Sequence, residues 1–472
     1  MNKIKLPLFI YFLLLVWSCT SLKQDQKNNA GEISVWITTG DKTSLLANVS
    51  TKLAFDSKPD TISIIEVDTT QHFQTVDGFG FALTGGSAYL INQKLSATAR
   101  EELLKELFLT DGNRIGVSYL RVSIGASDLD DHVFSYDDLP ANKTDVLLNH
   151  FSFAEDQKNL IPVLKQIVKL NPEIKIMGSP WSAPAWMKDN ANPKGGHLKP
   201  EYYDAYAKYF VKYIQGMAAE GIVIDAITLQ NEPENPKNNP SMLMTAEEQA
   251  LFVKKHLGPI FREAKIKTKI VVFDHNCDNP NYPITILNDA NAKKFVDGSA
   301  FHLYLGNITA LSEVHESHPD RNIYFTEQWT WSQGNFDGDL RWHTKNLIVG
   351  ATRNWSRNVL EWNLAADQNQ NPHTDQGGCT ECLGALTIND SVSRNVSYYI
   401  IAHASKFVRP GSVRVASNII EGLPNVAFVT PKGQKVLIVL NDTDQEKGFS
   451  IKFKEKTAPT VLAAGAVGTY VW

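Results

Sequence analysis

One pattern recurs eight times along the chain: a short apolar stretch typical of a buried strand, followed by a longer stretch with helical periodicity. This alternation predicts parallel β/α units, because a parallel strand needs a crossover helix to return to the same edge of the sheet. Apolar residues recur at three- and four-residue spacing in the intervening stretches, for example Ala97–Leu109, Asp156–Leu170, Tyr202–Glu220 and Ala246–Ala264. The predicted strands are Phe73–Ala82, Ser118–Ile124, Ile174–Ser179, Ile222–Gln230, Lys269–Asp274, Gly298–Leu305, Asn322–Glu327 and Val359–Leu364.

Eight units within residues 71–395 predict an α/β fold of the (β/α)8 barrel type, with its active site at the C-terminal ends of the strands. The flanks, residues 32–70 and 396–472, carry shorter strand patterns separated by turn residues. We expect the two flanks to pack together as one side β-sandwich built from both chain ends. The predicted flanking strands are Ile33–Thr38, Leu45–Leu53, Thr61–Val67, Val413–Ser417, Val426–Thr430, Lys435–Asn441 and Phe449–Phe453.

Composition limits the classes of function. With 472 residues, of which 43% are hydrophobic, the chain is long enough to bury a large core. The formal net charge is −5 and the pI is about 6.2, and the charged residues are interspersed without a long basic run. A nucleic-acid partner is therefore excluded, since phosphate binding needs a basic patch.

The N-terminus has the features of an export signal. Lys3 and Lys5 precede the apolar stretch Leu6–Trp17, which is too short to span a bilayer, and Ser18-Cys19 follows. We expect residues 1–19 to be a lipoprotein-type signal with a lipid on Cys19, and residues 20–31 to be a polar tether. The protein would then be exported and anchored in a bacterial envelope. Trp17 departs from the small residue usual at that position, so simple cleavage or a retained anchor remain alternatives.

Three further cysteines are Cys277, Cys379 and Cys382. The GGCTEC stretch is compatible with a redox pair, half a zinc site or a local disulfide. An exported protein favours the disulfide, because no second paired ligand set for zinc is visible in the sequence.

Two carboxylates follow predicted strands at the expected active-site end. LQNEPE places Asn231 and Glu232 after the fourth strand, and IYFTEQWTW places Glu327 at the end of the seventh strand beside Trp329. Each glutamate alone could be a solvated strand end or a helix cap. Together they are the pair that glycosidic cleavage needs, one as acid/base and one as nucleophile.

Aromatic residues recur at the other predicted strand ends. Trp181 and Trp186 follow the third strand, His302 and Tyr304 lie on the sixth, and Trp362 follows the eighth. Any one of them could belong to the barrel core. Aromatic rings that stack on sugar faces, next to polar groups that bind hydroxyls, indicate a carbohydrate site.

Other classes have weaker support. DHNCD at Asp274–Asp278 is the one candidate cluster for a metal hydrolase, and no His-Glu-x-x-His accompanies it, so we read it as polar lining and predict no metal site. Gly78-Phe-Gly80 lacks the third glycine of a dinucleotide loop, and no cofactor is predicted. A non-catalytic carbohydrate-binding barrel would have lost a carboxylate, and both are present.

Six motifs follow one another at successive strand ends: YLRVSIGASD, GSPWSAPAWMK, LQNEPE, HLYLG, FTEQWTW and EWNLA. In this order they resemble glycoside hydrolase family 30, the group that contains human lysosomal glucosylceramidase and microbial β-1,6-glucanases. The resemblance covers nearly the whole chain after the tether, and SKFVRPGSVRV resembles the family's return into its side β-domain. It implies a retaining β-glycosidase that needs no cofactor.

The resemblance also implies roles for individual residues. Glu232 would be the acid/base and Glu327 the nucleophile, with Arg121 bonded to Glu327. We then expect Arg121 to keep Glu327 ionised and the charge of Glu327 to raise the pKa of Glu232. The sugar next to the cleaved bond would contact Asp128, Trp181, Asn231, Tyr304 and Trp362, with His302 supporting Tyr304. Trp329 is a further predicted substrate-binding residue.

The chain departs from the family pattern at the loops. Thr84-Gly85-Gly86 replaces Thr-Asp-Ala, so we expect a polar group near the barrel base to be missing. Gln328-Trp329 follows the nucleophile in place of small residues, and a CTEC insertion follows the eighth strand.

For the substrate we expect β-linked glucose, in β-1,6-glucan or its oligosaccharides. Glucosylceramide is the alternative. A ceramide would need a broad apolar rim, which Gln328, Asp337, Asp339 and the 367–376 loop do not suggest.

Overall fold

The computed structural model describes residue 1 and residues 31–56 and 63–472. The predicted signal, most of the tether and Cys19 lie outside the described residues. None of the helices in the described part of the chain has the length and apolar character needed to cross a bilayer.

Eight parallel strands close into a barrel in chain order, as the alternating pattern predicts. The last strand closes the barrel by pairing with the first, with Val359 opposite Phe79. Inside the barrel one apolar layer fills the space between the strands: Tyr119, Met177, Ala226, Val271, Ala300, Tyr324 and Leu360. The strands are β4 (Gly78–Ala82), β5 (Tyr119–Ser123), β6 (Lys175–Ser179), β7 (Ala226–Thr228), β8 (Lys269–Cys277), β9 (Val296–Gly306), β10 (Asn322–Glu327) and β12 (Ser356–Glu361).

Helices surround the barrel, and the four predicted helical stretches are observed with small differences in their bounds. The stretch predicted as Ala246–Ala264 is interrupted by a π-helical segment, Val253–Leu257. The α-helices are α1 (Gly85–Tyr89), α2 (Ala97–Phe108), α3 (Leu160–Leu170), α4 (Tyr203–Ala219), α5 (Ala246–Phe252), α6 (Gly258–Glu263), α7 (Asn281–Asn288), α8 (Ala290–Lys293), α9 (Ala310–Ser317), α10 (Phe336–His343) and α11 (Val396–Ser405).

Both chain ends form one nine-stranded sheet beside the barrel, which confirms the predicted side β-domain. Its order is β2-β1-β22-β19-β18-β17-β3-β20-β21, and a backbone bridge between Asp56 and Thr457 brings the two edges together. The sheet encloses a second apolar core around Val35, Leu437 and Tyr470. Its strands are β1 (Glu32–Thr38), β2 (Ala47–Ala54), β3 (Ile64–Thr75), β17 (Val413–Ser417), β18 (Asn425–Val429), β19 (Lys435–Leu440), β20 (Lys447–Phe453), β21 (Lys456–Leu462) and β22 (Val467–Val471).

Two strand predictions needed correction. The stretch predicted as Phe73–Ala82 is two strands, because β3 ends at Thr75 in the side sheet and β4 begins at Gly78 in the barrel. The C-terminal strands β21 and β22 were not predicted. The predicted bounds of the domains stay predictions.

Short strands at the active-site end of the barrel brace its loops. β11 (Thr330–Trp331) pairs with β14 (Cys382–Leu383). β13 (Ala365–Ala366) pairs with β15 (Leu386–Ile388), which pairs with β16 (Val392–Arg394). The β11–β14 pair joins the loop after Glu327 to the cysteine loop, and a disulfide joins Cys379 to Cys382. The disulfide, which the sequence favoured over a redox pair or half a zinc site, is therefore confirmed. Cys277 is a buried free thiol.

Candidate active site

A cavity of about 370 Å³ opens where the barrel strands end. This volume is at the lower end of the usual range for ligand pockets, about 300–1,000 Å³. A larger cavity of about 730 Å³ lies between the barrel and the side domain, and none of the predicted site residues lines it. The smaller cavity is lined by Asp128, Glu232, Asn235, Asn238, Asn276, Tyr304, Leu305, Glu327, Trp329, Trp362, Cys379 and Cys382.

The other predicted site residues lie directly behind this lining. Arg121, Trp181, Asn231 and His302 are buried and contact residues that line the cavity or support it. The structure therefore brings all ten predicted site residues to one place.

Glu327 ends β10 and has both carboxylate oxygens held. Arg121 Nη1 donates to its Oε2 at 2.6 Å, and Tyr304 Oη donates to its Oε1 at 2.9 Å. Burial raises the pKa of Glu327, and the positive charges of His302 and Arg121 only partly oppose this effect. Arg121 thus favours the ionised form, as expected, but burial outweighs it in the unliganded site.

Arg121 joins the ends of several strands. From β5 its Nη2 donates to Asn231 Oδ1 at 2.6 Å and to Asp274 Oδ2 at 2.8 Å. Its guanidinium carbon lies 4.8 Å from the centroid of the Trp181 ring. A fully buried guanidinium with this many partners has one position, so Glu327 and Asn231 are fixed relative to each other.

Glu232 lies four residues beyond the end of β7, with a positive φ of 46° that is uncommon for a residue with a side chain. Asn235 and Asn238 donate to its Oε2 at 2.7 and 3.3 Å. Its Oε1 faces His302 Nδ1 at 3.1 Å, and His275 Nδ1 lies 3.7 Å from the same oxygen.

The expectation that the pKa of Glu232 is raised is wrong, because the structure lowers it. Burial would raise the pKa of Glu232, but hydrogen bonds and charge from His275 and His302 outweigh burial and lower it. Burial also works against protonation of His302, yet the charge of Glu327 and bonds to Asp274 and Glu232 raise the pKa of His302 to about 9. One proton therefore lies in the Glu232–His302 contact, on the imidazole side.

Both candidate catalytic carboxylates meet at the same imidazole. His302 Nδ1 lies 3.1 Å from Glu232 Oε1 and 3.6 Å from Glu327 Oε1. This closeness agrees with retaining glycosidases, whose carboxyl groups are about 5 Å apart, better than with the wider spacing of inverting ones. The His302 ring also meets the Tyr304 ring edge to face, with centroids 6.1 Å apart, a contact compatible with the predicted support of Tyr304.

Asp274 is a buried carboxylate that the sequence predicts only as polar lining. Its Oδ2 accepts from Arg121 and from Thr228 Oγ1 (2.7 Å), and its Oδ1 accepts from Thr326 Oγ1 (2.6 Å) and faces His302 Nε2 (3.2 Å). Burial works to raise the pKa of Asp274, but the charge of Arg121 and the bond to His302 lower it. Asp274 is therefore an anion that orients both Arg121 and His302.

Two further residues of the candidate site were predicted only as polar lining, and two were missed. His275 and Asn276 follow Asp274, and Asn276 Oδ1 accepts from the backbone N–H of Tyr304 at 2.9 Å. Asn235 and Asn238 follow Glu232 in the chain. The available signal was a polar run directly after an apolar strand, the same signal that drew attention to Glu232.

Glu232, His275 and His302 also offer ligand atoms within 4.8 Å of one another, which a metal ion could bridge. Both ring nitrogens of His302 already face carboxylates. The arrangement therefore suits the holding of a proton between Glu232 and Asp274 better than the binding of an ion.

Tryptophans and the disulfide form the apolar wall of the cavity. Trp362 stacks on Trp181 with ring centroids 5.4 Å apart, and Trp181 is 1% exposed. Trp181 thus supports the cavity wall from behind, while Trp362 and Trp329 line the cavity. The disulfide of Cys379 and Cys382 packs in the same cluster, so the CTEC insertion shapes one side of the opening.

Asp128 lines the cavity with a carboxyl group that is largely protonated near neutral pH. Burial raises the pKa of Asp128 to about 8, and the charges of Glu327 and Glu232 act in the same direction. A neutral carboxyl group can donate a hydrogen bond to a sugar hydroxyl as well as accept one.

The missing polar group at Gly85 is replaced from another loop. Gly85 follows β4 at the active-site end, not at the barrel base, and a Cβ there would lie 1.7 Å from Asp130 Oδ1. Asp130 Oδ2 accepts from the backbone N–H and the Oγ of Ser127 at 2.7 and 2.9 Å. Asp130 thus occupies the space in front of Gly85 and holds the loop that carries Asp128.

Fold and site together define a class of protein. A (β/α)8 barrel that presents two paired carboxylates from the C-terminal ends of two strands, β7 and β10, beside a wall of indole rings, is the architecture of a glycoside hydrolase.

Comparison with known proteins identifies the family. Residues 76–408 match the glycosyl hydrolase family 30 TIM-barrel domain, and residues 411–470 match the glycosyl hydrolase family 30 beta sandwich domain. The chain belongs to glycoside hydrolase family 30, a family of retaining glycosidases.

The relatives include glucanases and glucosylceramidases. An endo-1,6-beta-D-glucanase of Aspergillus fumigatus is 34% identical over 419 residues, which cover 83% of each chain. The lysosomal acid glucosylceramidase of Mus musculus is 28% identical over 439 residues, covering 87% of this chain and 83% of the mouse protein. The solved structure of the endo-beta1,6-glucanase BT3312 superposes with a TM-score of 0.87 at 33% identity, covering 94% of this chain and 99% of BT3312.

Proposed function

We propose that this protein cleaves β-1,6-linked glucan within the chain, with Glu327 as nucleophile and Glu232 as acid/base. The observation that carries the proposal is that both carboxylates meet at His302 Nδ1 beside one cavity walled by Trp329 and Trp362. The likeness to endo-1,6-β-glucanases over most of the chain supports the choice of linkage and of endo action.

In the first half of the reaction Glu327 attacks the anomeric carbon and forms a glycosyl ester. The bond from that carbon to the leaving oxygen breaks, and Glu232 gives the oxygen a proton. Arg121 and Tyr304 hold the two oxygens of Glu327, which aims the carboxylate and replaces water around it. In the second half Glu232 takes a proton from water, and the hydroxyl oxygen displaces Glu327.

The proton that Glu232 delivers is held in its contact with His302. This proton lies on the imidazole before the reaction, and it moves to Glu232 as the leaving oxygen takes up negative charge. Asp274 on the other ring nitrogen keeps the imidazole in place. When the ester forms, Glu327 loses its negative charge, and the proton affinity of the Glu232–His302 pair falls. Glu232 is then ionised and can act as the base.

The sugar next to the cleaved bond is bound by the residues around Glu327. Asn231 Oδ1 accepts from Arg121, which leaves the amide NH2 group to donate to the 2-hydroxyl, a contact that strengthens in the transition state. Asp128 binds a further hydroxyl, and Trp362, backed by Trp181, stacks on the sugar ring.

The rim favours a sugar over a ceramide, although for different residues than the sequence suggested. Gln328 is buried. Asp337 lies against Gly465 of the side domain, where an added Cβ would be 2.3 Å from its Oδ1. Gln328 and Asp337 therefore do not form the rim. Asn235, Asn238 and Asn276 line the cavity instead. Their amides match the hydroxyls of a second sugar.

Glucosylceramide is the second candidate substrate. Leu305 lines the cavity and is 59% exposed, and Trp331, beside the disulfide, is 46% exposed. These two apolar groups are what a lipid chain would contact.

A side-by-side digestion tests the proposal. A soluble β-1,6-glucan, gentiobiose and glucosylceramide are incubated with the enzyme, and products are separated by chromatography at early times. We expect oligosaccharides of mixed length from the glucan. Release of glucose alone would contradict endo action, preference for the lipid would contradict the choice of aglycone, and no product from any of the three would contradict the choice of sugar.

The proposal includes a lipid anchor on Cys19, outside the described residues. It is supported by the basic residues Lys3 and Lys5, the apolar stretch Leu6–Trp17 and the polar tether after Cys19. Such an enzyme would act on polysaccharide from the bacterial envelope. Mass spectrometry of the native N-terminus tests this, with a lipidated Cys19 expected and an unmodified protein beginning at another residue contradicting it.

A further inference from the structure

The long connection between β5 and α3, residues 124–159, brings three potential metal ligands together outside the candidate active site. Asp137, Asp145 and His150 each offer one ligand atom, and these atoms lie within 4.8 Å of one another. Asp137 is 1% and Asp145 6% exposed, whereas the side chain of His150 is 68% exposed. The group therefore has a buried carboxylate side and a side open to solvent.

One of the two buried carboxylates, Asp137, has too few partners for its charge. Asp137 Oδ2 accepts from Trp186 Nε1 at 3.2 Å, but its Oδ1 is buried and has no hydrogen-bond partner among the described residues. Asp145 Oδ2 accepts from the His150 backbone N–H and faces His150 Nδ1, each at 2.8 Å, and its Oδ1 accepts from Asn149 Nδ2 at 3.3 Å. Within the described ranges no lysine or arginine forms an ion pair with Asp137 or Asp145.

Lys212, which contacts this connection from α4, is engaged elsewhere. Lys212 donates to the backbone oxygen of Leu148 at 2.7 Å and lies over the ring of Phe151. An unpaired buried carboxylate oxygen is costly, because water is removed and nothing replaces it. A bound cation would supply the missing partner.

We propose that Asp137, Asp145 and His150 bind a zinc ion. Two carboxylate oxygens and one imidazole nitrogen are a mixed ligand set that suits Zn²⁺, whereas Ca²⁺ and Mg²⁺ prefer oxygen alone. Rotation of the exposed His150 ring gives the ion a way in, and water completes the coordination.

The ion would stabilise the wall of the active site. Trp186, in the loop after β6, donates to the backbone oxygen of Asp137 at 2.9 Å, and Asp128 lies in the same connection as the three ligands. Zinc bound there joins the part of this connection that carries Asp137 to the part that carries Asp145 and His150. It also keeps Asp137 next to the loop that carries Trp186. The proposal concerns a structural site, so it does not depend on the proposed substrate.

Titration of the tag-free full-length protein with ZnCl₂, followed by calorimetry and by elemental analysis after dialysis, tests the site. We expect saturable binding that Asp137→Asn and Asp145→Asn weaken at least about tenfold, and a zinc-dependent rise of Tm by about 2 °C or more in the wild type that the ligand variants lose. His150→Gln changes an exposed side chain and remains informative if either aspartate variant fails to fold. CaCl₂ and MgCl₂ are titrated in parallel.

Asp204→Asn is the matched control, since Asp204 pairs with a histidine, His256, at 2.6 Å but is exposed. It should bind zinc as the wild type does. Zinc held at Glu232, His275 and His302 would persist in every variant and is separated in this way. The proposal is overturned if no saturable zinc binding occurs, if binding is equal in the wild type and all three ligand variants, or if only Ca²⁺ or Mg²⁺ binds.

Discussion

Replacing Asp274 by asparagine tests whether this buried anion organises the active site. Asp274 offers two acceptor oxygens: Oδ2 faces Arg121 and Thr228, and Oδ1 faces Thr326 and His302. Asparagine keeps the shape but has one acceptor and one NH2 group. The threonine hydroxyls can rotate to accept from that group, but neither the guanidinium nor a protonated imidazole can accept a hydrogen bond.

The magnitude follows from burial. Asp274, Arg121 and His302 are all 0% exposed, so solvent does not screen the lost charge. Removing one partner of a buried ion pair costs about 3–5 kcal/mol, and we expect a loss of this order in the free energy of unfolding. The pKa of His302, raised to about 9 in the wild type, should fall because it loses the Asp274 anion.

The pH dependence provides a second measure. A raised folded-state pKa of His302 contributes stability that is fully present below its unfolded value of about 6.5 and is lost as pH rises through about 9. The difference in stability between wild type and Asp274→Asn should therefore be largest between about pH 4 and pH 6.5 and shrink toward pH 9 and above. It should also shrink below about pH 4, because the stabilisation that comes from the lowered pKa of Asp274 is lost in acid. We also expect the alkaline limb of kcat/KM to move to lower pH in the variant.

Urea unfolding followed by tryptophan fluorescence at several pH values measures these differences. Glu220→Gln is the control, because Glu220 pairs with Lys165 at the surface and should change stability little. If Asp274→Asn unfolded like the control, with an unchanged pH profile, Asp274 would not be the anion that holds Arg121 and His302.

Four further predictions concern single positions. Glu327→Ala should lower turnover at least roughly a thousandfold without unfolding, and azide should restore activity with formation of the α-glycosyl azide; near wild-type activity would exclude Glu327 as the nucleophile. Glu232→Ala should spare glycosylation by substrates with good leaving groups and impair poor ones in single-turnover experiments, so an equal loss on both would remove it from the acid role. Gly85→Ala should raise KM and lower Tm, because its Cβ would collide with Asp130; unchanged values would contradict this close approach. Burial raises the pKa of Asp156 to about 8, so its contribution to stability falls as pH rises from about 4 to 8, and Asp156→Asn should remove a slope of up to about 1.4 kcal/mol per pH unit in urea unfolding; an unchanged slope would refute this.

The barrel could be predicted because its information is local. Each parallel strand is buried on both faces and therefore reads as an apolar run, and each crossover helix shows its own periodicity. The candidates Glu232 and Glu327 were selected for the same reason, since a polar residue directly after such a run lies at the barrel opening. The strands β21 and β22 were missed: Pro459 lies within β21, and Gly465 and Gly468 fall in the stretch around β22, residues that usually interrupt strands.

The sequence by itself determined which elements form, in what order, and which strand ends carry carboxylates and indoles. Only the tertiary structure decided which charges face one another. Asp274 and His302 meet because β8 and β9 are neighbours, Asp130 fills the space of Gly85 across two loops, and Asp137 meets Asp145 within one connection. The physical reason is the distance along the chain over which each effect works. Hydrophobic periodicity is a property of one helix or strand, whereas the pKa of a group depends on every nearby charge and on the burial that the closed fold creates.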